Sequence, residues 1–337
     1  MNWKIIGRAL AAGLLATLVL AGPRPARAGH LGEDTIALFP KEVGEFGYAD
    51  LKKARTMKWF PQLEQQVLPD RFKQFEKFLA AAGVDPETQV TEVTWGLVAD
   101  NTDPNSATAV PTGEDIVGIA MGNFNPDAAE TYFKQQKLPI LTVRGYSLFP
   151  FGTGSGASDL VFMFFDTNKA AFGSRSKIEK MIGLHFGDDQ GLLYNDTIFP
   201  LINEANGNST VWLVLNAAYT RLAMQQLSPE VQQFPEAAKL ATRMKNMIIN
   251  VNNGSSDVDA KFQAVCGSTD DANTLGQLLQ LGLMYKQYQA KNDNPDLAQL
   301  LGQAHVSPAG DRVIINMTIS DEQMSGLIRN NSFALKM

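Results

Sequence analysis

Residues 44–50 read Gly-Glu-Phe-Gly-Tyr-Ala-Asp, and this stretch predicts how the fold begins. We interpret residues 44–49 as an extended strand and Asp50 as the residue that caps the helix after it. The stretch Val211-Trp212-Leu213-Val214-Leu215 has the same character, and Asn216 follows it where Asp50 follows the first. The sequence therefore predicts a chain in which one structural unit occurs twice.

The first copy continues outward from Asp50 with helices and strands that can be identified from their periodicity and their end signals. A helix follows Asp50, and a second one begins at Pro69-Asp70, carries Phe72, Phe75 and Phe78, and ends at Gly83. Strands are predicted over Val90–Val98, Ile116–Phe124, Ile140–Val143, Tyr146–Phe149, Leu160–Phe165 and Ala170–Phe172, with helices that start at Asn125 and at Ser174 or Ser176, the latter ending at Gly183.

The second copy runs in the same order with shorter loops. After Asn216 comes a short helix, and Ser228-Pro229 starts another. Paired strands are predicted over Met247–Val251 and Val258–Cys266, around an Asn252-Asn253-Gly254 turn of the kind that joins antiparallel strands. A long helix from Ser268, a strand with Val313, Ile315, Met317 and Ile319 on one face, and a helix from Ser320 complete it.

Strand–helix–helix–strand–strand–helix–strand–helix in tandem indicates an α+β fold. We expect two tandem units, each a mainly antiparallel sheet with helices packed on one face. The first unit would span residues 29–183, a joint rich in Gly, Asp and Asn would span 184–209, and the second unit would span 210–337. The alternative is a coincidence of element order, because residue identity between the copies is low.

The first twenty-eight residues have the layout of a secretory signal peptide. Lys4 and Arg8 precede the apolar run Ala9–Gly22, and Ala26-Arg27-Ala28 offers small residues where a leader peptidase cleaves. The run is shorter than the roughly 20 residues that span a bilayer, and no later stretch reaches that length. We expect cleavage after Ala28 and a periplasmic or extracellular protein without a transmembrane segment; the alternative is an uncleaved N-terminal anchor.

Composition excludes several classes of partner. Apolar residues make up 45% of the chain and charged residues 19%, which are values typical of globular proteins. The net charge of −6 disfavours nucleic acid, because an acidic surface repels phosphate backbones. Lysines and arginines are scattered, so an anionic membrane surface is also a poor partner.

Cys266 is the sole cysteine, so the chain has no internal disulfide. It shares one face of an alternating run with Val258, Ala260, Phe262 and Ala264, which predicts a buried, unreactive side chain. The alternative is a reactive or intermolecular thiol. The leader carries no cysteine at its cleavage point, which excludes a lipid anchor attached through one.

Four short segments carry a resemblance to a protein family. The runs 46–51 (FGYADL), 82–86 (AGVDP), 122–126 (GNFNP) and 172–174 (FGS) resemble segments of uncharacterised exported bacterial proteins built on a duplicated domain of unknown function. The resemblance implies the same duplicated α+β architecture over most of the mature chain. Its motifs are strand ends, caps and a helix stop, so it transfers no catalytic residue.

No catalytic constellation emerges from the side chains that usually carry chemistry. His30, His185 and His305 do not pair with one another or with Cys or Glu at metal-ligand spacing, and no Gly-x-Ser-x-Gly elbow is present. The glycine-rich run 151–158 joins two predicted strands, whereas a dinucleotide loop leads from a strand into a helix. We therefore predict no catalytic, cofactor or metal residues and no cofactor, although a Ser–His–Asp set formed at a distance stays open.

Weaker candidates have ordinary structural explanations. The basic helix start Phe172–Lys177 could hold an anion, but an ordinary capped start explains it. The remaining candidates are three acidic pairs, the helix-spaced phenylalanines and five glycosylation sequons. We interpret the acidic pairs as solvated turns, the phenylalanines as core side chains and the sequons as unused. They are Asp188–Asp189, Asp257–Asp259, Asp270–Asp271, Phe72, Phe75, Phe78, Asn195, Asn208, Asn253, Asn316 and Asn330.

Three functions compete at this stage. The first is a non-catalytic envelope protein that binds an unknown protein or helps to assemble a macromolecule. The second is a carrier of an apolar ligand such as a lipid, which a deep cavity between sheet and helices would favour. The third is a hydrolase, which a cleft joining His185 or His305 to a carboxylate and a hydroxyl would favour.

Overall fold

The structure is a computed structural model that describes residues 30–67, 76, 79–80, 83–99, 114–151, 160–207, 209–227, 243–254 and 257–330. The strands are β1 (Glu45–Asp50), β2 (Val90–Ala99), β3 (Glu114–Gly122), β4 (Leu141–Val143), β5 (Tyr146–Pro150), β6 (Leu160–Phe164), β7 (Lys169–Ser174), β8 (Val211–Leu215), β9 (Met244–Asn253), β10 (Asp257–Cys266), β11 (His305–Ala309) and β12 (Arg312–Ser320). The helices are α1 (Glu33–Ile36), α2 (Leu51–Ala54), α3 (Phe60–Val67), α4 (Pro86–Gln89), α5 (Pro126–Gln135), α6 (Arg175–His185), α7 (Phe199–Ala205), α8 (Ala217–Leu227), α9 (Thr269–Asp293), α10 (Pro295–Gln303) and α11 (Asp321–Arg329), with a 3-10 turn at Leu192–Tyr194.

All twelve of these strands form one sheet. Its order is β11-β12-β10-β9-β8-β1-β2-β3-β7-β6-β5-β4, and each neighbouring pair is antiparallel. A large antiparallel sheet with helices is the α+β class that the sequence predicts. The paired strands predicted within 247–266 are also confirmed, because β9 and β10 pair from Asn253–Val258 to Met244–Cys266.

The sheet has its centre where β1 pairs with β8. These strands pair from Glu45–Leu215 to Ala49–Val211, so the central pair is Gly47–Leu213. Outward from it the order is β1-β2-β3-β7-β6 on one side and β8-β9-β10-β12-β11 on the other, with β5 and β4 as an addition to the first side. We call β1–β7 the first half and β8–β12 the second half; a division into two units at residues 183 and 210 stays a prediction.

Gly47 shows why the central strand needs a glycine. A Cβ atom placed on it would lie 2.1 Å from an atom of the Trp95 ring, which stands across the pair Gly47–Trp95 in β2. Trp95 is fully buried, and its indole N–H donates to Glu45 at 3.2 Å. The small residue therefore lets a large aromatic ring cover the middle of the sheet.

Two hydrophobic cores lie on opposite faces of the sheet. On the front face, α2, α3, α5, α8, α9, α10 and α11 pack against side chains such as Trp95 and Leu213. On the back face, residues 31–43, α6 and α7 pack against side chains such as Tyr48, Ile119 and Trp212. Tyr48 and Trp212 stack across the β1–β8 junction with their ring centroids 5.7 Å apart.

Within residues 210–330, the described helices lie on one face of the sheet. There α8, α9, α10 and α11 all contribute to the front core. In the first half α5 lies on the front face while α6 buries Ile178, Met181 and Ile182 on the back. The reason is the apolar back face of the first half, where Val117, Ile119, Val161 and Met163 need cover.

Most of the helix caps that the sequence predicts are present. The side chains of Asp50, Asn125, Asn216 and Ser268 accept a hydrogen bond from the backbone N–H three residues on. Ser320 forms a full capping box with Gln323. Ser174 stands at the N-cap of α6, but its side chain makes no capping bond, so that prediction is wrong in its chemistry.

The predicted stop of α6 at Gly183 is also wrong. The helix continues to His185, and the chain turns at Gly187, whose φ is +78°. A glycine ends a helix when it adopts the left-handed conformation, and Gly183 stays within the helix. Sequence alone does not distinguish these two glycines.

Candidate binding site on the open sheet face

The back face of the sheet changes character beyond β9. The back-face core includes Ile248 of β9 but no residue of β10 or β12. Helices α9, α10 and α11 pack against β10 and β12 from the front face. The back of these two strands instead carries polar side chains, which we call the open face.

Strand alternation places these side chains. In β10, Val258, Ala264 and Cys266 belong to the front core, so Asp259, Lys261 and Gln263 point to the back. The pairing register aligns them with polar residues of the neighbouring strands. Asn252, Asp259 and Thr318 form one cross-strand row, and Asn250, Lys261, Asn316 and His305 form the next.

Hydrogen bonds hold several of these groups in place. Asn250 donates from Nδ2 to Ser209 Oγ at 2.8 Å, and the backbone N–H of Thr210 donates to Asn252 Oδ1 at 3.1 Å. The hydroxyl of Thr318 donates to Asp259 Oδ1 at 2.7 Å. One edge of the open face is therefore fixed by the segment that leads into β8.

An ion pair crosses one end of the open face. Glu204 lies on α7, a helix that contacts β8 and β9, and it pairs with Arg312 of β12. Because β10 lies between β9 and β12, this bond bridges over β10. The Glu204 carboxylate raises the pKa of the Arg312 guanidinium, mainly through their hydrogen bond.

The bridge and the polar rows enclose a hollow of about 400 Å³. Two of its side chains lack partners in the described part of the chain. Gln263 is only 6% exposed and makes no hydrogen bond there. Lys261 is half-buried and has no ion-pair partner there.

The side chains of the hollow are rich in hydrogen-bond donors and acceptors. Asparagine and glutamine amides each offer two N–H donors and one carbonyl acceptor, and a lysine offers three donors. The charges nearly balance, because Lys261 and Arg312 face Asp259 and Glu204. Such a surface suits a neutral ligand rich in hydroxyl or amide groups.

A second, neighbouring hollow contains His305, Asp257 and Ser320. These are the residue types of a hydrolytic triad, but their hydrogen bonds differ from those of a triad. Ser320 Oγ accepts the backbone N–H of Gln323 as a helix cap, at 3.2 Å. Within the described residues, no hydrogen bond joins His305 to Asp257 or to Ser320.

The other sequence candidates lie apart from the open face. His185 is the last residue of α6 and contacts the rings of Phe165, Phe186 and Tyr146. His30 is exposed at the start of the described chain. Cys266 is buried as predicted, and burial raises the pKa of its thiol to about 11, with Asp271 and Asp311 adding to the rise.

Members of two of the acidic pairs and the basic helix start form ion pairs. Asp188 pairs with Arg144 at 2.6 Å, and Asp271 pairs with Arg243 at 2.6 Å. At the start of α6, Arg175 pairs with Glu179, and Lys177 with Asp115. In the described ranges no group of three His, Cys, Asp or Glu residues is placed to hold a metal ion.

Some sequence candidates lie outside the described residues. They are positions 152–158 of the glycine-rich run, Phe72, Phe75, Phe78, Asn208 and Ser228-Pro229. Of the remaining sequon asparagines, Asn316 lies in β12 as the sequence predicts and is exposed.

The long helix α9 presents a second exposed surface. Leu281, Met284, Tyr285 and Tyr288 recur on one helix face and are 59–76% exposed. The 25 residues of α9 exceed the length that a bilayer requires, but polar residues interrupt them. No helix in the described ranges combines the length and the apolar character needed to cross a membrane.

Sequence reasoning missed the open face. Its asparagines and its lysine occupy the polar positions of alternating strands, which in a single sequence are typical of any solvated sheet face. Gln263 gives no signal of its own, because the sequence does not show that a polar residue on β10 becomes buried beside α7. The alternation could have identified the face, but only the fold shows that nothing described covers it.

Comparisons with known proteins support the fold. No protein-family model and no curated protein matches this chain, so the resemblance to uncharacterised exported bacterial proteins has no support from them. A solved structure, crystal form I of TP0453, is 13% identical, covers 89% of this chain and 98% of its own, and has a TM-score of 0.50. Crystal form III of TP0453 is 12% identical, covers 88% and 98%, and has a TM-score of 0.47.

Proposed function

We propose that this chain is an exported, non-catalytic protein of the cell envelope that binds a polar macromolecule through the open face. One observation carries the proposal: the back of β10 and β12 is polar, while the back of the first half is apolar and covered. A sheet face that needs no helix to cover it is free to receive a partner.

The hydrogen-bonding state of the side chains supports a role without catalysis. The Ser320 hydroxyl oxygen already accepts a backbone N–H, and the Cys266 thiol is buried with a raised pKa. A nucleophile needs an adjacent base or a lowered pKa, and within the described residues no base hydrogen-bonds to either side chain.

The lining of the hollow supports a polar partner over an apolar ligand. Asn250, Asn252, Lys261, Asn316 and Thr318 would leave polar groups without partners if a lipid chain covered them. The carrier hypothesis therefore gains nothing from this part of the molecule.

Export is supported by the sequence of residues 1–28, and a tandem duplication by the shared strand order of the halves. The units would be 29–183 and 210–337, joined by 184–209. On this proposal the second unit has kept the strand order of the first, but its strands β10 and β12 carry a binding surface on the face where the first unit has core.

Native mass spectrometry of protein purified from the envelope fraction of its own host tests export and binding together. We expect the mass of a polypeptide that begins at Gly29, together with the mass of a bound species. The variant Lys261→Ala/Asn316→Ala should lose that species, because both side chains line the hollow. The matched control Lys291→Ala/Asn292→Ala removes the same residue types from exposed positions on α9 and should retain it.

Three outcomes would contradict the proposal. A membrane-bound polypeptide that retains Met1 argues against cleavage. Wild-type protein without a bound species argues against a binding role. A bound species that persists on the Lys261→Ala/Asn316→Ala variant places the interaction on another surface.

A further inference from the structure

We propose that the hollow on the open face binds a neutral, amide-bearing sugar unit of a glycan. This deepens the proposed function and rests on it. The polar groups of the hollow, their charge balance and their position in the sheet point to this ligand chemistry.

Gln263 is the strongest indication of a ligand. Its side chain is more than nine-tenths buried, lines the hollow, and has no hydrogen-bond partner among the described residues. Its cross-strand neighbours on this face are Ile248 and Ile314, which offer no polar atoms. Because no described residue occupies this amide, it can donate and accept hydrogen bonds with a molecule that enters the hollow.

An amide in the ligand matches this position. The Gln263 amide can donate to an acyl carbonyl and accept from an acyl N–H at the same time. Asn250, Asn316 and Thr318 surround it with groups that suit hydroxyls, because each hydroxyl both donates and accepts. One N-acetylated sugar ring carries both kinds of group.

The charges of the hollow favour a neutral ligand. Lys261 is its one cation without an ion pair in the described ranges, and Asp259 lies two residues away on the same face of β10. Arg312 is engaged by Glu204. A phosphate group beside Lys261 would therefore also meet the Asp259 carboxylate, whereas a neutral sugar would not be repelled by it.

The position of the hollow disfavours a peptide. Extended peptides bind at sheet edges, where backbone N–H and C=O groups are free. The hollow lies on β9, β10 and β12, which are paired on both sides, so only side chains face the ligand. Its volume of about 400 Å³ lies in the range of small-molecule sites and suits a short saccharide unit.

Calorimetric titration of the mature protein tests the ligand class. The probes are the β-1,4-linked disaccharide of N-acetylglucosamine, cellobiose as its analogue without amides, inorganic phosphate, and a blocked tetra-alanine peptide. We expect the N-acetylated disaccharide to bind at least about threefold more tightly than cellobiose, since its acyl amide can pair with the N–H and the C=O of Gln263 at the same time. Phosphate and peptide should not bind measurably.

The variant Gln263→Met separates a ligand-binding role from a structural one. It keeps the length of the side chain and removes its donors and its acceptor. We expect the affinity for the N-acetylated disaccharide to fall at least about tenfold while the Tm changes little, because the Gln263 amide makes no hydrogen bond to the described residues that the substitution would break. Gln277→Met, at an exposed position on α9, is the control and should change neither quantity.

Several results would overturn the inference. Disaccharide affinity that Gln263→Met leaves unchanged excludes this hollow, and binding of phosphate or peptide in place of the sugar excludes the ligand class. If Gln263→Met does not fold, Asn316→Ala, at an exposed position, supplies the same test with an expected loss of at least about threefold. If native mass spectra show a bound species but no sugar binds in the titration, the ligand is not a sugar. The proposed function is then unaffected.

Discussion

The two halves of the sheet share a strand order and differ in what covers their back faces. In the first half the back face of β3, β6 and β7 is apolar and lies under helix α6. In the second half the corresponding strands β10 and β12 carry polar side chains there, and α9, α10 and α11 pack on their front. Strand order therefore does not decide whether a face becomes core or surface; the residues at alternate positions decide it.

Positions counted outward from the central pair Gly47–Leu213 show which back-face residues differ between the two halves. One residue beyond it, the back-face row of the first half continues from Tyr48 through Thr94, Ile119 and Ala171. The matching row of the second half continues from Val214 through Ile248, Gln263 and Ile314. Ile119 and Gln263 thus occupy corresponding positions, one fully buried in a core and one beside an open hollow.

Substitutions that exchange the residue types of positions 119 and 263 should give the largest effect on stability. Ile119→Gln places an amide among apolar side chains under α6 and should lower the free energy of unfolding by about 3–5 kcal/mol. Urea denaturation followed by circular dichroism measures it. The reciprocal variant Gln263→Ile should change stability by less than about 1 kcal/mol, and equal losses from both variants would show that the halves do not differ as described.

The two last helices of the halves offer a smaller contrast. Ser320 forms a capping box on α11, whereas Ser174 makes no capping bond on α6. Ser320→Ala should therefore lower the free energy of unfolding by about 1 kcal/mol, and Ser174→Ala should change it by only a few tenths. The urea concentrations at the unfolding midpoints of the two variants measure these losses. A larger loss from Ser174→Ala than from Ser320→Ala would contradict the prediction.

The smallest effect concerns a carboxyl of the first half. Burial raises the pKa of Glu92, which stands opposite Asp50 across the β1–β2 pair. Counted in the same way from the central pair, its counterpart in the second half is the uncharged Asn246. A buried acid whose pKa is raised favours the folded state while it is protonated, so its contribution falls as the pH rises above the ordinary glutamate value.

Glu92→Gln should therefore stabilise the protein at pH 7 by several tenths to about 1 kcal/mol, because no charge is then buried. Near pH 4 the gain should shrink, since the wild-type carboxyl becomes protonated in both states. Urea titrations at the two pH values measure the difference. A gain that is larger at pH 4 than at pH 7 would mean that the Glu92 pKa is lowered rather than raised.

Much of the fold could be predicted from the sequence because its signals are local. Alternation in Val258–Cys266 fixed a strand and its buried face, and short polar residues marked most helix starts. The two errors at α6 have one cause: capping by Ser174 and the stop at Gly183 depend on backbone conformation, which a residue type permits but does not determine. The coverage of the back face by α6 depends on contacts between distant segments.

The candidate site could not be predicted because its defining property is what the fold leaves uncovered. Asn316 and Lys261 come from different strands and meet only through the β10–β12 register. The bridge from Glu204 to Arg312 joins residues 108 positions apart. A periodic pattern assigns these side chains to a polar face, but the hollow arises from where α7 ends and where no described helix continues.

The lone thiol provides a way to observe the second half directly. Cys266 ends β10 on the front face, opposite the strand face that carries Lys261 and Gln263, and its pKa of about 11 leaves little thiolate at neutral pH. A thiol-directed reagent should therefore react only when this region transiently opens, so the labelling rate reports the opening equilibrium of the native protein. Any molecule that binds the closed sheet should slow labelling in proportion to its occupancy. Because the chain has one cysteine, the unmodified protein carries a single built-in reporter with which ligands of the opposite face can be ranked.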